Sequence, residues 1–264
     1  MNKLTYYIKK SFNTFNQPEM RVLPGNVAFF FVMALIPIIT ILALIASYFS
    51  ISFDSILTFI DNLLPKEASS LIIDVISGKG FDTSVGTFTI IALFIASNGT
   101  YAIINASNTL YGITSSDRLK DRIKSVIMLF ILLLLIIFLI VVPLFGEKIL
   151  NLLEFIPFIE SIKTIHKLLE WPVSIFLIFV NLKLIYTIAP SVKVASKTTT
   201  YGALFTTIIW TIATAVFSYY LNHFANYNIL YGNLSSLIIL MMWLYIISYV
   251  FVMGIAINVT NYGK

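Results

Sequence analysis

The sequence of 264 residues contains no cysteine. Disulfides, thiolate metal sites and a cysteine nucleophile are therefore excluded, although the absence says nothing about compartment. Histidine occurs only at His166 and His223, so there is no H-E-x-x-H pair and no histidine cluster to hold a metal. A G-x-S-x-G elbow and a phosphate-binding glycine loop are missing too. Charge is scarce: Asp, Glu, Lys and Arg make up 11% of the chain, where a soluble domain carries roughly 25%.

In their place, 59% of the residues are hydrophobic and the mean hydropathy is +0.94. Such a chain cannot cover itself with polar surface. Each bilayer crossing takes about 20 apolar residues, and six runs of that kind stand out, near 26–49, 85–111, 124–146, 171–189, 200–223 and 232–259. With their loops they use up the chain and leave no room for a soluble catalytic domain. None of the runs contains Asp or Glu, which argues against a carboxylate proton relay and against aspartyl or metallo-type intramembrane proteolysis. The expected fold is an all-α, polytopic membrane protein of six transmembrane helices, with no enzyme activity, cofactor or metal.

Residues 1–24 place Leu4, Tyr7, Ile8, Phe12 and Phe15 at helical spacing beside Lys3, Lys9 and Lys10. This reads as an amphipathic cytoplasmic helix on the inner leaflet, not as a cleaved signal, and Pro24-Gly25 is expected to break it. The transmembrane domain then occupies 25–264. Between the first two runs, residues 50–84 mix apolar residues with Asp54, Asp61, Glu67 and Asp74. That pattern predicts short amphipathic helices near 53–63 and 66–77, lying as an extracytoplasmic cap. Residues 147–170 are an acidic outer segment with a short helix of their own.

Charge asymmetry sets the orientation. Lys3, Lys9, Lys10, Arg21, Arg118, Lys120, Arg122, Lys124, Lys183, Lys193, Lys197 and Lys264 all fall on one side, and nine of the twelve acids on the other. Both termini are therefore expected in the cytoplasm. The net charge of +5 belongs to this inner rim and faces anionic lipid, so membrane lipids are the expected partners and nucleic acid is not. Homo-oligomerisation stays open. Trp171, Trp210, Trp243 and the tyrosines are expected in the interfacial belts. Two halves of three helices necessarily run in opposite senses, as in inverted repeats, but their sequences do not visibly align.

Polar residues inside a span face the protein or a wet cavity. The second run carries Asn98, Tyr101, Asn105 and Asn108, which fall within an arc of roughly 80° at about 100° per residue. Such a stripe lines a polar path or coordinates a headgroup; equally, it knits helices together. It is expected to face the bundle interior. Threonines of the fifth run, Thr206, Thr207, Thr211 and Thr214, are expected to bond their own backbone. Asn181 and Lys183 in the fourth run and Asn258 in the sixth complete the substrate-path candidates, with snorkelling the plainer role for Lys183. Pro37, Pro190, Gly202, Gly232 and Gly254 are kink or packing positions.

Several separated pieces resemble the YihY/BrkB family of inner-membrane proteins, once labelled ribonuclease BN. They are Ala28-Phe29-Phe30 with Ile36-Pro37, Ala96-Ser97-Asn98-Gly99 followed by Asn108-Thr109-Leu110-Tyr111, the basic pair Arg118 and Arg122, Tyr186 with Pro190, Gly202-Ala203, Trp210 and Tyr220, and then Tyr231-Gly232, Trp243-Leu244-Tyr245 and Gly254 with Asn258. The resemblance runs from about Ala28 to Asn258. Ala256 stands where the family often carries a glutamate, and Tyr201 where it often carries proline. The resemblance implies a multi-pass protein of the bacterial cytoplasmic (inner) membrane with a transport-like role, linked with envelope lipid movement and with virulence or salt tolerance. Together these readings give a transporter or flippase-like protein for a lipid or amphipathic anionic solute; the alternative is a non-transporting scaffold that organises the envelope.

Overall fold

The computed structural model describes residues 16–48, 85–114, 117–152, 159–223, 227 and 231–261. Among them are six long helices and no strand: α1 Glu19–Tyr48, α2 Val85–Leu110, α3 Arg118–Leu152, α4 Ile159–Ile188, α5 Ser196–His223 and α6 Ser235–Asn261, the last preceded by a 3-10 turn at Gly232–Leu234. The described part of the chain is all-helical, as expected. By length and composition, three stretches among the described residues suit a membrane crossing: Ile90–Leu110, Ser196–Leu221 and Ser235–Asn261. The amphipathic pattern before residue 16 and the cap at 50–84 lie outside the described residues.

Helix ends differ from the expected spans for a common reason: hydropathy marks the part of a helix that suits lipid, not where backbone hydrogen bonding stops. α3 begins six residues before the expected 124 and runs past Pro143 to Leu152, a length of 35 residues. α4 begins at Ile159, twelve residues before the expected 171, and passes through Pro172. The acidic outer segment is thus largely an extension of these two helices. Asp117 starts α3 by accepting the N–H groups of Leu119 (3.1 Å) and Lys120 (3.4 Å) on Oδ1, the usual task of an N-cap aspartate. The Lys120 side chain and these backbone donors hold its carboxyl below the ordinary carboxylate range.

The break expected at Pro24-Gly25 is not there, and a boundary between 24 and 25 falls inside α1, which contains Pro24 and Pro37. Proline forfeits one helical hydrogen bond. Near the start of α1 that loss is outweighed by packing, since Met20, Pro24, Val27 and Ala28 are all buried.

Each helix packs on its neighbours in sequence, and α6 returns to pack on α1, closing a ring; α6 also touches α2. The α2–α3 and α4–α5 turns, the start of α1 and the end of α6 share one end of this ring. It is called the basic end here, after Arg21, Arg118, Lys120, Lys124, Lys193 and Lys197. Near it all six helices share one apolar core, which joins Val27, Ile103, Met128, Tyr186, Ala203 and Phe251. Towards the other end, among the described residues, buried apolar residues form two separate clusters. Ile41, Ala92, Ala96, Leu129 and Leu133 join α1, α2 and α3. Phe217, Leu221 and Ile239 join α5 and α6.

Close approach of α4, α5 and α6 depends on two glycines. A Cβ on Gly254 would overlap Thr206 Oγ1 and the Tyr186 hydroxyl, and one on Gly202 would overlap the Gly254 carbonyl and the Asn258 amide. Gly232 is different: φ is +53° and nothing lies where its Cβ would be. It serves the turn into α6, not packing. Gly254→Ala should lower unfolding stability by about 1–3 kcal/mol, the usual range for overpacking a tight core. Thermal unfolding in detergent checks this, and a melting temperature equal to the parent's would refute the contact.

Candidate functional site at the basic end

The polar residues of α2 do not form one inward stripe. Asn108 is buried, Asn98 and Tyr101 are half-buried, and Asn105 is exposed. The expectation that all four face the interior fails for Asn105, because periodicity shows which residues share an arc but not where the protein surface cuts it. At 100° per residue, Tyr101 and Asn108 lie at one edge of the arc and Asn98 and Asn105 at the other. Only the first edge turns towards the core.

Asn108 is the centre of a network that joins three elements. Its Nδ2 donates to Ser191 Oγ (2.9 Å) and to Asp121 Oδ2 (3.3 Å), and its Oδ1 accepts the Ser191 N–H (2.8 Å). Ser191 Oγ donates to Asp121 Oδ1 at 2.6 Å. Lys124 Nζ caps the end of α4 by donating to the carbonyls of Ala189 (3.2 Å) and Pro190 (3.1 Å), and it lies 3.7 Å from Asp121 Oδ1. Asp121 is 2% exposed, so these donors take the place of water around its carboxylate. A buried carboxylate stripped of its partners is strongly destabilising. The α2–α3 hairpin is thereby latched to the α4–α5 turn.

A second network holds α4, α5 and α6. The Tyr186 hydroxyl lies 2.8 Å from Thr206 Oγ1 and donates to the Phe251 carbonyl at 2.8 Å. Asn258 Oδ1 accepts the Gly202 N–H at 2.9 Å. Its Nδ2 is buried without a hydrogen-bond partner among the described residues. Trp210 donates Nε1–H to the Ile247 carbonyl at 2.8 Å and stacks on Phe251, so this indole ties α5 to α6 and is not a free belt residue. Thr207 and Thr211 bond back to their own helix as expected, whereas Thr206 reaches Tyr186. Asn181 is buried and donates to the Ile131 carbonyl of α3 at 3.2 Å, and Lys183 is half-buried. Pro190 follows the end of α4 at the Lys124 contact, and Pro37 sits within α1.

Sequence reasoning missed the partners more than the centres. Asp121 and Ser191 look like ordinary loop residues, and only the i,i+3 spacing of Asp121 and Lys124 hinted at a pair. Arg122, counted with the inner rim, reaches into α2: Nη1 donates to Asn98 Oδ1 (2.8 Å) and Nη2 to the Phe94 carbonyl (3.0 Å). Among the described residues no group of three or more His, Asp or Glu side chains could hold a metal ion.

The profile of the family described as virulence factor BrkB matches residues 11–262. The chain belongs to the BrkB family. Within the described part of this BrkB protein, five of the positions that carry the resemblance, Asn108, Tyr186, Gly202, Gly254 and Asn258, lie at contacts between elements. Over 258 residues it is 28% identical to the ribonuclease-like protein YfkH of Bacillus subtilis (strain 168), covering 96% of this chain and 94% of that one. Shorter stretches resemble UPF0761 membrane proteins. One from Pseudoalteromonas translucida (strain TAC 125) is 31% identical over 88 residues, 33% of this chain and 28% of that protein. One from Coxiella burnetii (strain Dugway 5J108-111) is 33% identical over 82 residues, 31% of this chain and 30% of that protein. No solved structure is significantly similar. Family and apolar helices together make this a membrane protein.

Asn108→Leu should leave Asp121 short of a donor and the Ser191 N–H without its acceptor. Each buried polar group left unmade costs about 1–3 kcal/mol, so the variant should unfold well below the parent. Asn105→Leu, on the exposed face, should leave the melting temperature nearly unchanged. Equal destabilisation of the two variants would contradict the division of the stripe.

Proposed function

We propose that this BrkB-family protein is a six-span, multi-pass protein of the bacterial cytoplasmic membrane, with both termini cytoplasmic, that moves an anionic amphipath, a lipid or lipid-like solute, between leaflets. One observation carries the reading: among the described residues, the apolar core is single at the basic end and falls beyond it into an α1–α2–α3 part and an α5–α6 part. A bundle fastened at one end and divided at the other can admit a solute between its halves. The latch of Asn108, Asp121, Lys124 and Ser191 closes the fastened end and would have to open for passage. Alternating access needs such a two-position element. The basic rim beside the latch gives an anionic headgroup a favourable exit on the cytoplasmic face.

The sequence holds no nucleotide-binding loop, so movement runs down a gradient or is coupled to one. An enzymatic role is not proposed. The ribonuclease-like name of the Bacillus relative finds no chemistry here, because the two histidines and the absent cysteines leave no metal-ligating or nucleophile–base pattern in the sequence.

Topology is tested first with single cysteines, which meet no native thiol. Ser196→Cys should react with an impermeant maleimide only from the cytoplasmic side and Ser161→Cys only from outside; reversed labelling overturns the orientation. Transport is then read in proteoliposomes with a fluorescent phosphatidylglycerol. An oxidised Asn108→Cys/Ser191→Cys pair should stop its movement, and reduction should restore it. Movement that continues through the locked latch removes the latch from the path. Absence of movement in the parent protein favours the scaffold.

A further inference from the structure

Arg122 is placed against the usual habit of its side chain. In a membrane helix near an interface, arginine snorkels its head towards water. Here Thr100 Oγ1 donates to the Ser125 carbonyl at 2.6 Å, and Ala92 and Ala96 share a cluster with Leu129 and Leu133. This register sets the Arg122 backbone level with the part of α2 near Ile103. Its guanidinium nevertheless meets Asn98 and the Phe94 carbonyl, so it points away from the basic end by about five residues, or ~7 Å of helix rise. Asn98 itself lies about 18 Å along the axis from Leu110, at 1.5 Å per residue, in a hydrocarbon layer about 30 Å thick. The charge therefore lies well inside the stretch Ile90–Leu110, which suits a membrane crossing by length and composition.

Among the described residues the ion pairs are Lys120 with Asp117 and Lys124 with Asp121, and Arg122 meets only neutral partners. A guanidinium has five N–H donors in a fixed fork, of which Asn98 and Phe94 take two. The Phe94 ring packs 4.1 Å from Arg122 Cζ, and the Tyr101 ring centroid is 5.7 Å away. The surroundings are open: Phe94 is 61% exposed, and Ile91 on α2 and Ile123 and Phe130 on α3 are exposed apolar residues flanking the site. Asn105 adds an exposed amide on the same edge of α2 as Asn98. A cation with spare donors, held between apolar rows and without a carboxylate, fits an anionic oxygen group carried by acyl chains. It fits a zwitterionic headgroup less well, because among the described residues no acid lies beside it to receive an ammonium.

We propose that the α2–α3 groove at Arg122 binds the phosphate of an anionic phospholipid, with acyl chains along the exposed apolar residues of both helices. Hydrogen bonds from Arg122 to Asn98 and Phe94 hold the fork in place, and the remaining N–H groups face the phosphate. This deepens the transport reading and rests on it for the site's role in movement, so binding and movement are measured separately.

The test uses the full chain in detergent micelles, titrated with dioleoyl phosphatidylglycerol, dioleoyl phosphatidylcholine or inorganic phosphate, with bound lipid read by native mass spectrometry. Phosphatidylglycerol should bind in preference to phosphatidylcholine, and inorganic phosphate should not displace it. Arg122→Gln should weaken phosphatidylglycerol binding by about tenfold or more, as expected for losing charge-assisted bonds. Arg122→Lys should retain part of it, and Ile212→Ala, on the exposed face of α5, should change nothing. Undiminished binding in Arg122→Gln overturns the site, and displacement by inorganic phosphate overturns the lipid assignment. If Arg122→Gln does not fold, a photoactivatable phosphatidylglycerol applied to the unmodified protein decides: label confined to peptides within 90–105 and 119–130 supports the groove, and label elsewhere overturns it. Binding without movement leaves the headgroup site standing and removes only the transport reading; movement that survives loss of binding leaves transport standing and removes the site.

Discussion

The hydroxyl of Tyr186 lies between Thr206 of α5 and the Phe251 carbonyl of α6, and the rest of the bundle is arranged around that junction. In lipid, apolar burial gives helices little reason to associate, so close packing and interhelical hydrogen bonds must do it. A phenol can reach a backbone carbonyl of another helix only if that helix comes very near. Gly254 and Gly202 permit the approach, and side chains at either position would overlap their neighbours. Phe251 and Trp210 then fill the space beside the phenol. The same closeness brings the Gly202 N–H to Asn258, whose other amide atom is buried without a hydrogen-bond partner among the described residues.

Around this junction the two ends of the bundle are built on different physics. At the basic end, side-chain and backbone polar groups satisfy one another across α2, α3 and the α4–α5 turn, with a buried carboxylate at the centre. Such an arrangement is specific in geometry and sensitive to the loss of any member. Away from it, the described buried apolar residues fall into separate groups, with single interhelical hydrogen bonds such as Asn181 to the Ile131 carbonyl and Trp210 to the Ile247 carbonyl. Apolar contacts are non-directional and can re-form after sliding. The polar end therefore sets the geometry of the ring.

Much of this was readable before the structure. The helical class and the regions of the long helices follow from runs of apolar residues, because a bilayer crossing has a minimum length. Gly202, Gly254 and Asn258 stood out because small and polar residues in a span need a packing reason. Burial within α2 was not readable: an arc of 80° cannot tell which edge faces a neighbour that the sequence does not locate. Pro24 misled for a related reason, since local propensity argued for a break and tertiary packing of Met20 and Val27 overrode it. Arg122 was counted as a rim charge because the direction of a long side chain depends on an acceptor 24 residues away in sequence, at Asn98.

The length of α3 has a mechanical consequence. At 35 residues and 1.5 Å per residue, the rod is about 52 Å long, well beyond a hydrocarbon core of about 30 Å. It is anchored near its first turns, where Asp121 and Lys124 meet the α4–α5 turn. A tilt of about 5° about that anchor displaces the far tip by ~4–5 Å, given that length. α3 thus has the proportions of a lever held at the latch, where the loss of a few hydrogen bonds would be magnified along its length.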